Sequence, residues 1–369
     1  MKTASRSLLV APAFAFALIP ALQPSPAAAD PVADFYKGKQ VKMIIRTAPG
    51  GGYDTDARLL MRHMTRHIPG HPSAINVNMT GGGGIRAVNY VAKVAPRDGS
   101  VLTIVSGAIP MFQGLRLGSG LEADMKAFNW IGVMSTSNRV LAVWHTSPAH
   151  TVADLGKRLV TIGATGAGSP SVILPATLNN VLGAKLKIIS GYKSGTEIDT
   201  AMERGELEGR GSNPWSSWVS GSPRLVKDKL VRPMVQVGFK PDPALPGVVP
   251  LLKDLGKTPE QTEILTYVTK AFMTGFPFAT AQGVPADRVK ALRAAFDKTM
   301  VDPKFLAEAK RGRVIVDPTS GTELQKLITD IVDIPDALRE KVRTAITPPG
   351  AYYDRLKGGG KKKSKKKDG

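Results

Sequence analysis

Short apolar runs alternate with longer amphipathic segments along most of this chain, and glycine marks many of the joints. Residues 41–45 form the first run, and residues 55–67 are the first segment whose apolar side chains return at helical spacing. Between them lies Arg46-Thr47-Ala48-Pro49-Gly50-Gly51-Gly52-Tyr53-Asp54. The unit then repeats: a strand over 74–79, a loop of Thr80 and four glycines (Gly81 to Gly84), and a helix over 85–94. Where a strand feeds a helix through consecutive glycines, backbone N–H groups turn outward together. The helix dipole adds partial positive charge, so such a turn attracts an anion. Two of them in consecutive units are expected side by side at the carboxyl edge of one parallel sheet, where they could grip one carboxylate together.

The same patterning continues downstream. Residues 101–105 read as a third strand, whose following loop begins at Ser106 at the same sheet edge, and 130–134 and 139–144 as strands on either side of a polar break at 135–138. A capped turn at 151–157, opened by Thr151 with Asp154 three residues on, leads to a second series: strand 159–163, loop 164–169, helix 170–182, strand 186–189. Ser194-Gly195-Thr196-Glu197 reads as a capping box for a helix ending near Arg204. The run 207–211 leads into a strand-to-helix turn at Ser212-Asn213-Pro214-Trp215. Residues 231–237 close this sheet, 240–250 form a proline-rich connection, the chain returns near 267–279, and helices follow at 285–300, 303–310 and 323–334. The predicted fold is α/β with two lobes: a discontinuous first lobe (30–137 and 268–357), an inserted second lobe (138–267), and a hinge at a ligand cleft.

Composition refines this picture at the ends of the chain. Lys2 and Arg6 precede an apolar run over 8–22, and Ala27-Ala28-Ala29 supplies the small residues a signal peptidase reads, so 1–29 is expected to be a removed export signal. Residues 358–369 are glycine and lysine and are expected to be a disordered tail. The net charge is +20. Setting aside Lys2, Arg6 and the tail's charges leaves 42 basic against 29 acidic residues, or +13, a field that concentrates small anions. Export argues against nucleic acid as the partner. With no cysteine there is neither a disulfide framework nor a thiolate metal site.

Individual residues were weighed against plainer roles. Asp54, at a helix start, reads as an organiser of the glycine loop, with Arg58 one turn on as its partner. Arg46 ends a strand at the cleft edge, where either a protein carboxylate or a bound anion must satisfy it; for Arg86 an internal acidic partner is the expectation. Trp215 and Trp218 are expected in the core. His63 and His67 have zinc spacing but lack an intervening Glu and a third ligand, and read as solvated cations near a helix C-terminus. Ser190 and Lys193 match S-x-x-K without its companion motifs, and no G-x-S-x-G elbow or P-loop lysine exists. Gly82-x-Gly84-x-x-Ala87 follows a strand as a dinucleotide fingerprint does, without the acidic residue that should end the next strand. No catalytic residue, metal or cofactor is assigned.

An ordered set of motifs carries a family resemblance: APGGGYDTDAR (48–58), HIPGHP (67–72), NMTGGGGIRAVNYV (78–91), APRDGSVL (95–102), GATGAGS (163–169) and GYKSGTE (191–197). Together they resemble the Bug family, the periplasmic receptors of tripartite tricarboxylate transporters, over nearly the whole chain after residue 29. The resemblance implies a type II periplasmic binding fold that holds a small organic anion (a di- or tricarboxylate, an amino acid or an aromatic acid). It would act as a monomer and deliver its ligand to a two-subunit membrane permease. It also implies that Gly51, Gly52, Tyr53 and Asp54, with Gly82, Gly83, Gly84 and Ile85, hold a carboxylate through backbone N–H groups and waters. Thr165, Gly166, Ser169 and Asn213 would contribute from the second lobe. Arg46 stands where such proteins commonly carry an apolar or small residue, and Thr80 replaces a usual proline. The alternatives are a periplasmic sensor serving a membrane kinase and, from another class, an exported hydrolase.

Overall fold

The computed structural model describes residues 30–117, 120–166 and 168–348; the expected signal at 1–29 and the tail at 358–369 lie outside them. In chain order the first elements are α1 (Pro31–Tyr36), β1 (Gln40–Ile45), α2 (Gly52–Met64), β2 (Ser73–Asn78), α3 (Ile85–Lys93), β3 (Val101–Ile104), α4 (Ala108–Gly114) and β4 (Asn129–Val133). The chain then crosses to β5 (Arg139–Trp144), β6 (Val160–Ala164), α5 (Pro170–Leu182), β7 (Leu186–Ser190), α6 (Gly195–Glu203), β8 (Gly209–Pro214), α7 (Trp215–Gly221), α8 (Pro223–Lys227) and β9 (Val231–Val237). It returns through α9 (Pro259–Phe272) to β10 (Phe278–Thr280), α10 (Ala286–Met300), α11 (Pro303–Arg311), β11 (Thr319–Ser320), α12 (Gly321–Val332) and α13 (Asp336–Ile346).

Two sheets result. The first has strand order β11-β4-β10-β3-β1-β2 and the second β7-β6-β8-β5-β9. Strands β1, β2 and β3 are parallel neighbours because helices α2 and α3 carry the chain back across the sheet between them. Strand β10 enters antiparallel between β3 and β4, so a segment late in the chain completes the sheet that the first hundred residues begin. In the second sheet β6 pairs parallel with β7 and β8, and β5 pairs antiparallel with β8 and β9. The two-lobe α/β fold expected from the strand and helix pattern is the one observed.

Helices α9 and α13 are additions to that reading. Thr258 caps α9 by accepting the Gln261 N–H, and the inward face of α9 buries Ile264, Leu265, Val268 and Phe272. Its surroundings are apolar: one continuous core joins α4 to α5, β5, β6 and β9 through α9, α12 and α13. Residues 259–272 lack the glycine punctuation that betrays the strand–helix units. Their helical period emerges only against two facing sheets.

An ion-pair cluster fastens α2 to α11. His63 is buried; its Nε2 lies 2.5 Å from Glu308 and its Nδ1 accepts from Arg66 at 2.7 Å, while Arg66 and His67 both reach Asp302. His63 is therefore packed and partnered, not the solvated cation that the sequence pattern suggested. The His63 and Arg62 hydrogen bonds hold the Glu308 carboxyl below its usual range. For Asp302, burial raises the value, but the bonds from Arg66, His67 and two backbone amides outweigh it and the net shift is downward. Carboxyls depressed in the folded state stabilise it above their unfolded values near about 4, and that contribution is lost as pH falls through the folded ones. The urea midpoint should therefore drop between pH 6 and pH 3, and an Asp302→Asn/Glu308→Gln double variant should show a flatter profile over that window.

Candidate functional site

The carboxyl ends of β1 and β8, the start of β5 and the segment before β10 converge on a space of about 460 Å³ between the two sheets, part of it open to solvent. Arg46 enters it directly from the end of β1. Its guanidinium is buried, donates to the Gly83 carbonyl at 3.0 Å (Nε) and 2.5 Å (Nη2), and lies 4.4 Å from the Tyr53 ring. Arg139, the first residue of β5, is also buried; it donates to the Gly275 carbonyl at 3.2 Å and lies over the Phe276 ring at 5.1 Å. Neither guanidinium meets a carboxylate among the described residues. Burial holds Arg46 below its ordinary value and the nearby Arg139 charge adds to the effect, as expected for an uncompensated cation in low dielectric. Arg210 of β8 is the third cation: its Nη1 pairs with both Asp199 oxygens at 2.9 and 3.1 Å, and Trp218 donates to the same carboxylate at 3.1 Å. Trp215 and Trp218 are core residues, as their spacing implied, and Trp218 also fixes the acid that holds Arg210.

What lines this space besides the arginines is a set of buried polar atoms with no partner: Thr47 Oγ1, Tyr53 OH, Arg210 Nε, Ser212 Oγ and Asn213 Nδ2. A buried polar atom left unpaired costs about 1–3 kcal/mol, so five around one space mark a place built for a guest. Every one of them can donate a hydrogen bond. Helix α2 adds to this character. Gly51 is its N-cap without a side-chain bond, so the first-turn amides face the space that Gly51, Gly52 and Tyr53 line. The chemistry is that of an anion site.

The predicted residues distribute unevenly about this space. Arg46, Gly51, Gly52, Tyr53, Thr165, Ser169 and Asn213 line it. Gly82, Gly83 and Gly166 line a neighbouring space of about 610 Å³, which shares Arg46, Thr47 and Thr165 with the first. In this conformation the two glycine turns thus open on adjoining spaces, with the Arg46 side chain between them. Gly84 backs Arg46, since a Cβ there would lie 2.5 Å from Nε. Ile85 lines neither space. Asp54 is buried under the loop, accepting from Gly50 N at 3.0 Å, Arg58 Nε at 2.9 Å and Asn78 Nδ2 at 2.8 Å, which is the organising role its helix position suggested. Ser106 donates across the cleft to the Gly168 carbonyl at 3.0 Å. Arg86 is exposed; its bond is to the Thr80 carbonyl, and it finds no acidic partner among the described residues.

Arg139, Arg210, Ser212 and Phe276 escaped the sequence reading. Arg139 and Arg210 open or interrupt apolar strands, a signal equal to the one that exposed Arg46. Phe276 could not be found that way, because its place depends on the chain's late return.

The two halves touch. A Cβ on Gly166 would lie 2.7 Å from Gly83 N, and one on Gly83 would lie 2.6 Å from Gly168 N, so backbone meets backbone with no room for a side chain. Thr196 donates to the Gly50 carbonyl at 3.0 Å across the same cleft. The cleft is closed.

None of the protein-family models searched matches the chain. BugT of Bordetella pertussis is 36% identical over 85 residues, 23% of this chain, so the match spans a quarter of that relative's length. Among solved structures, the periplasmic binding protein BugD superposes with a TM-score of 0.68 at 18% identity, covering 85% of this chain and all of that one. MatC of Rhodopseudomonas palustris with bound malate gives 0.65 at 17% identity over 82% of this chain and 99% of its own. An R. palustris protein with adipate gives 0.63 at 18% identity over 84% and 99%. The fold is that of periplasmic binding proteins.

The backbone contact between Gly83 and the 166–168 turn makes a testable demand. Gly166→Ala should hold the halves apart, giving a larger radius of gyration by small-angle X-ray scattering. Gly51→Ala, whose Cβ would have 3.8 Å to its nearest neighbour, should leave it unchanged.

Proposed function

We propose that this chain is a Bug-type extracytoplasmic receptor that captures a small organic carboxylate between two lobes and passes it to a two-subunit membrane permease. Supporting the reading are the binding-protein fold, the local likeness to BugT, and the malate and adipate held by two proteins of the same fold. The observation that carries it is the donor set of the closed cleft: two buried guanidiniums without an acid, and five unpartnered polar atoms facing the same space. A carboxylate there would accept from Arg46, from Arg139 or Arg210 Nε and from the α2 amides, converting desolvation penalties into charge-assisted bonds. The role asked of these groups is reversible binding, with no bond made or broken in the guest.

The lobe division at 137 and 267, export with removal of 1–29, and action as a monomer in the periplasm are parts of the same proposal. Among the described residues no helix is long and apolar enough to cross a membrane.

A carboxylate that binds only the folded chain should raise its melting temperature, at 100 times Kd by the equivalent of about 2.7 kcal/mol. A thermal-shift panel of di- and tricarboxylates, amino acids and aromatic acids set against neutral sugars tests this; shifts with the sugars alone would refute it. Arg46→Met should weaken the best-binding acid about ten- to a hundredfold while leaving the free protein's melting temperature unchanged or higher, because the variant removes a charge whose burial costs stability. Unaltered affinity would take Arg46 out of the site.

A further inference from the structure

Beyond Phe276 lies a second chamber of about 380 Å³, separated from the arginine-lined space by Arg139, Pro214 and Phe276, which face both. The partition is thin. A Cβ on Gly52 would lie 2.5 Å from Ser217 Oγ and 3.0 Å from the Phe276 ring. Hydroxyls crowd the far side: Ser135 and Ser137 come from the β4–β5 crossing, and Ser216, Ser217 and Ser220 from α7. One carboxylate joins them. Asp56 is on α2 two residues beyond the fully engaged Asp54, yet no hydrogen bond or neighbouring charge offsets its partial burial, which pushes its carboxyl up to about 7. Arg139 is the chamber's one other charged group among the described residues.

That pair of charges discriminates among the groups a ligand could place there. A second carboxylate meets Asp56 and is repelled; an ammonium meets Arg139 and is repelled. A hydroxyl donates to Asp56, accepts from Arg139 and matches the surrounding serines. We propose that this chamber receives the far end of the ligand and that Asp56 makes it a site for a hydroxyl, so that the ligand class is a hydroxylated monocarboxylate. The assignment rests on the reading above, in which the arginine-lined space holds the ligand's carboxylate.

The test is a six-carbon series differing only at the far end: hexanoate, 6-hydroxyhexanoate, 6-aminohexanoate and adipate, titrated calorimetrically at pH 8 and pH 5.5 into the full chain and its Asp56→Asn variant. At pH 8 the wild type should bind 6-hydroxyhexanoate about tenfold more tightly than adipate, the worth of one charge-assisted bond. The gap should narrow at pH 5.5, where Asp56 is protonated, and in Asp56→Asn at both pH values. Asn keeps the shape of Asp, and the melting temperature provides a second readout. A carboxyl raised in the folded state contributes stability below its unfolded value that is lost as pH rises through about 7. Asp56→Asn should therefore melt higher than wild type at pH 8 and alike at pH 5.5.

Adipate or 6-aminohexanoate binding as tightly as the hydroxy acid at pH 8, or an unchanged preference in Asp56→Asn, overturns the assignment and leaves the carboxylate reading standing. Failure of all four acids to bind removes both.

Discussion

Burying a guanidinium without an acid beside it is costly, and this fold does so twice in one cleft. Arg46 is given a carbonyl and an aromatic face, Arg139 another carbonyl and another ring, and neither arrangement cancels a full charge. Everything near them is arranged around that deficit. Asp54 could have supplied the missing acid from the same loop, but Gly50, Arg58 and Asn78 occupy it. Asp199 is committed to Arg210. The field is thus left open toward the cleft, where only something that arrives from solvent completes it.

The closed arrangement has two sides with different chemistry. On one, the halves meet through polar and backbone contacts: Thr196 on the Gly50 carbonyl, Ser106 on the Gly168 carbonyl, and glycine against glycine at 83 and 166. On the other, a single apolar core runs from α4 through α9 and α13 to α5. Separating the halves on the first side exchanges protein hydrogen bonds for water at small net cost, whereas separating them on the second would expose buried aliphatic surface. Opening by rotation about the apolar side is the low-cost motion. Asn180, whose Nδ2 reaches the carbonyls of Thr344, Ala345 and Thr347, ties the last helix to α5 on that side.

Cleft size follows from the same contacts. Because Gly52 abuts Ser217 and Phe276, the closed cleft is divided into small chambers. A guest is met at one end by guanidinium groups and helix amides, and at the other by serine hydroxyls and one carboxylate. Recognition would therefore depend on the two ends of the guest separately.

Local sequence determined a good deal. The strand–glycine–helix units, the capping at Thr151 and Thr258, the loop-organising role of Asp54 and the basic strand end at Arg46 all follow from interactions within a few residues, which period and turn chemistry record directly. Tertiary structure decided which polar groups stay unpaired. Whether an arginine finds an acid is a question about residues far apart in the chain: Arg46 meets Gly83, Arg139 meets Gly275, and Phe276 divides the cleft only because β10 returns between β3 and β4. No periodicity encodes such meetings, since they arise where two sheets face each other.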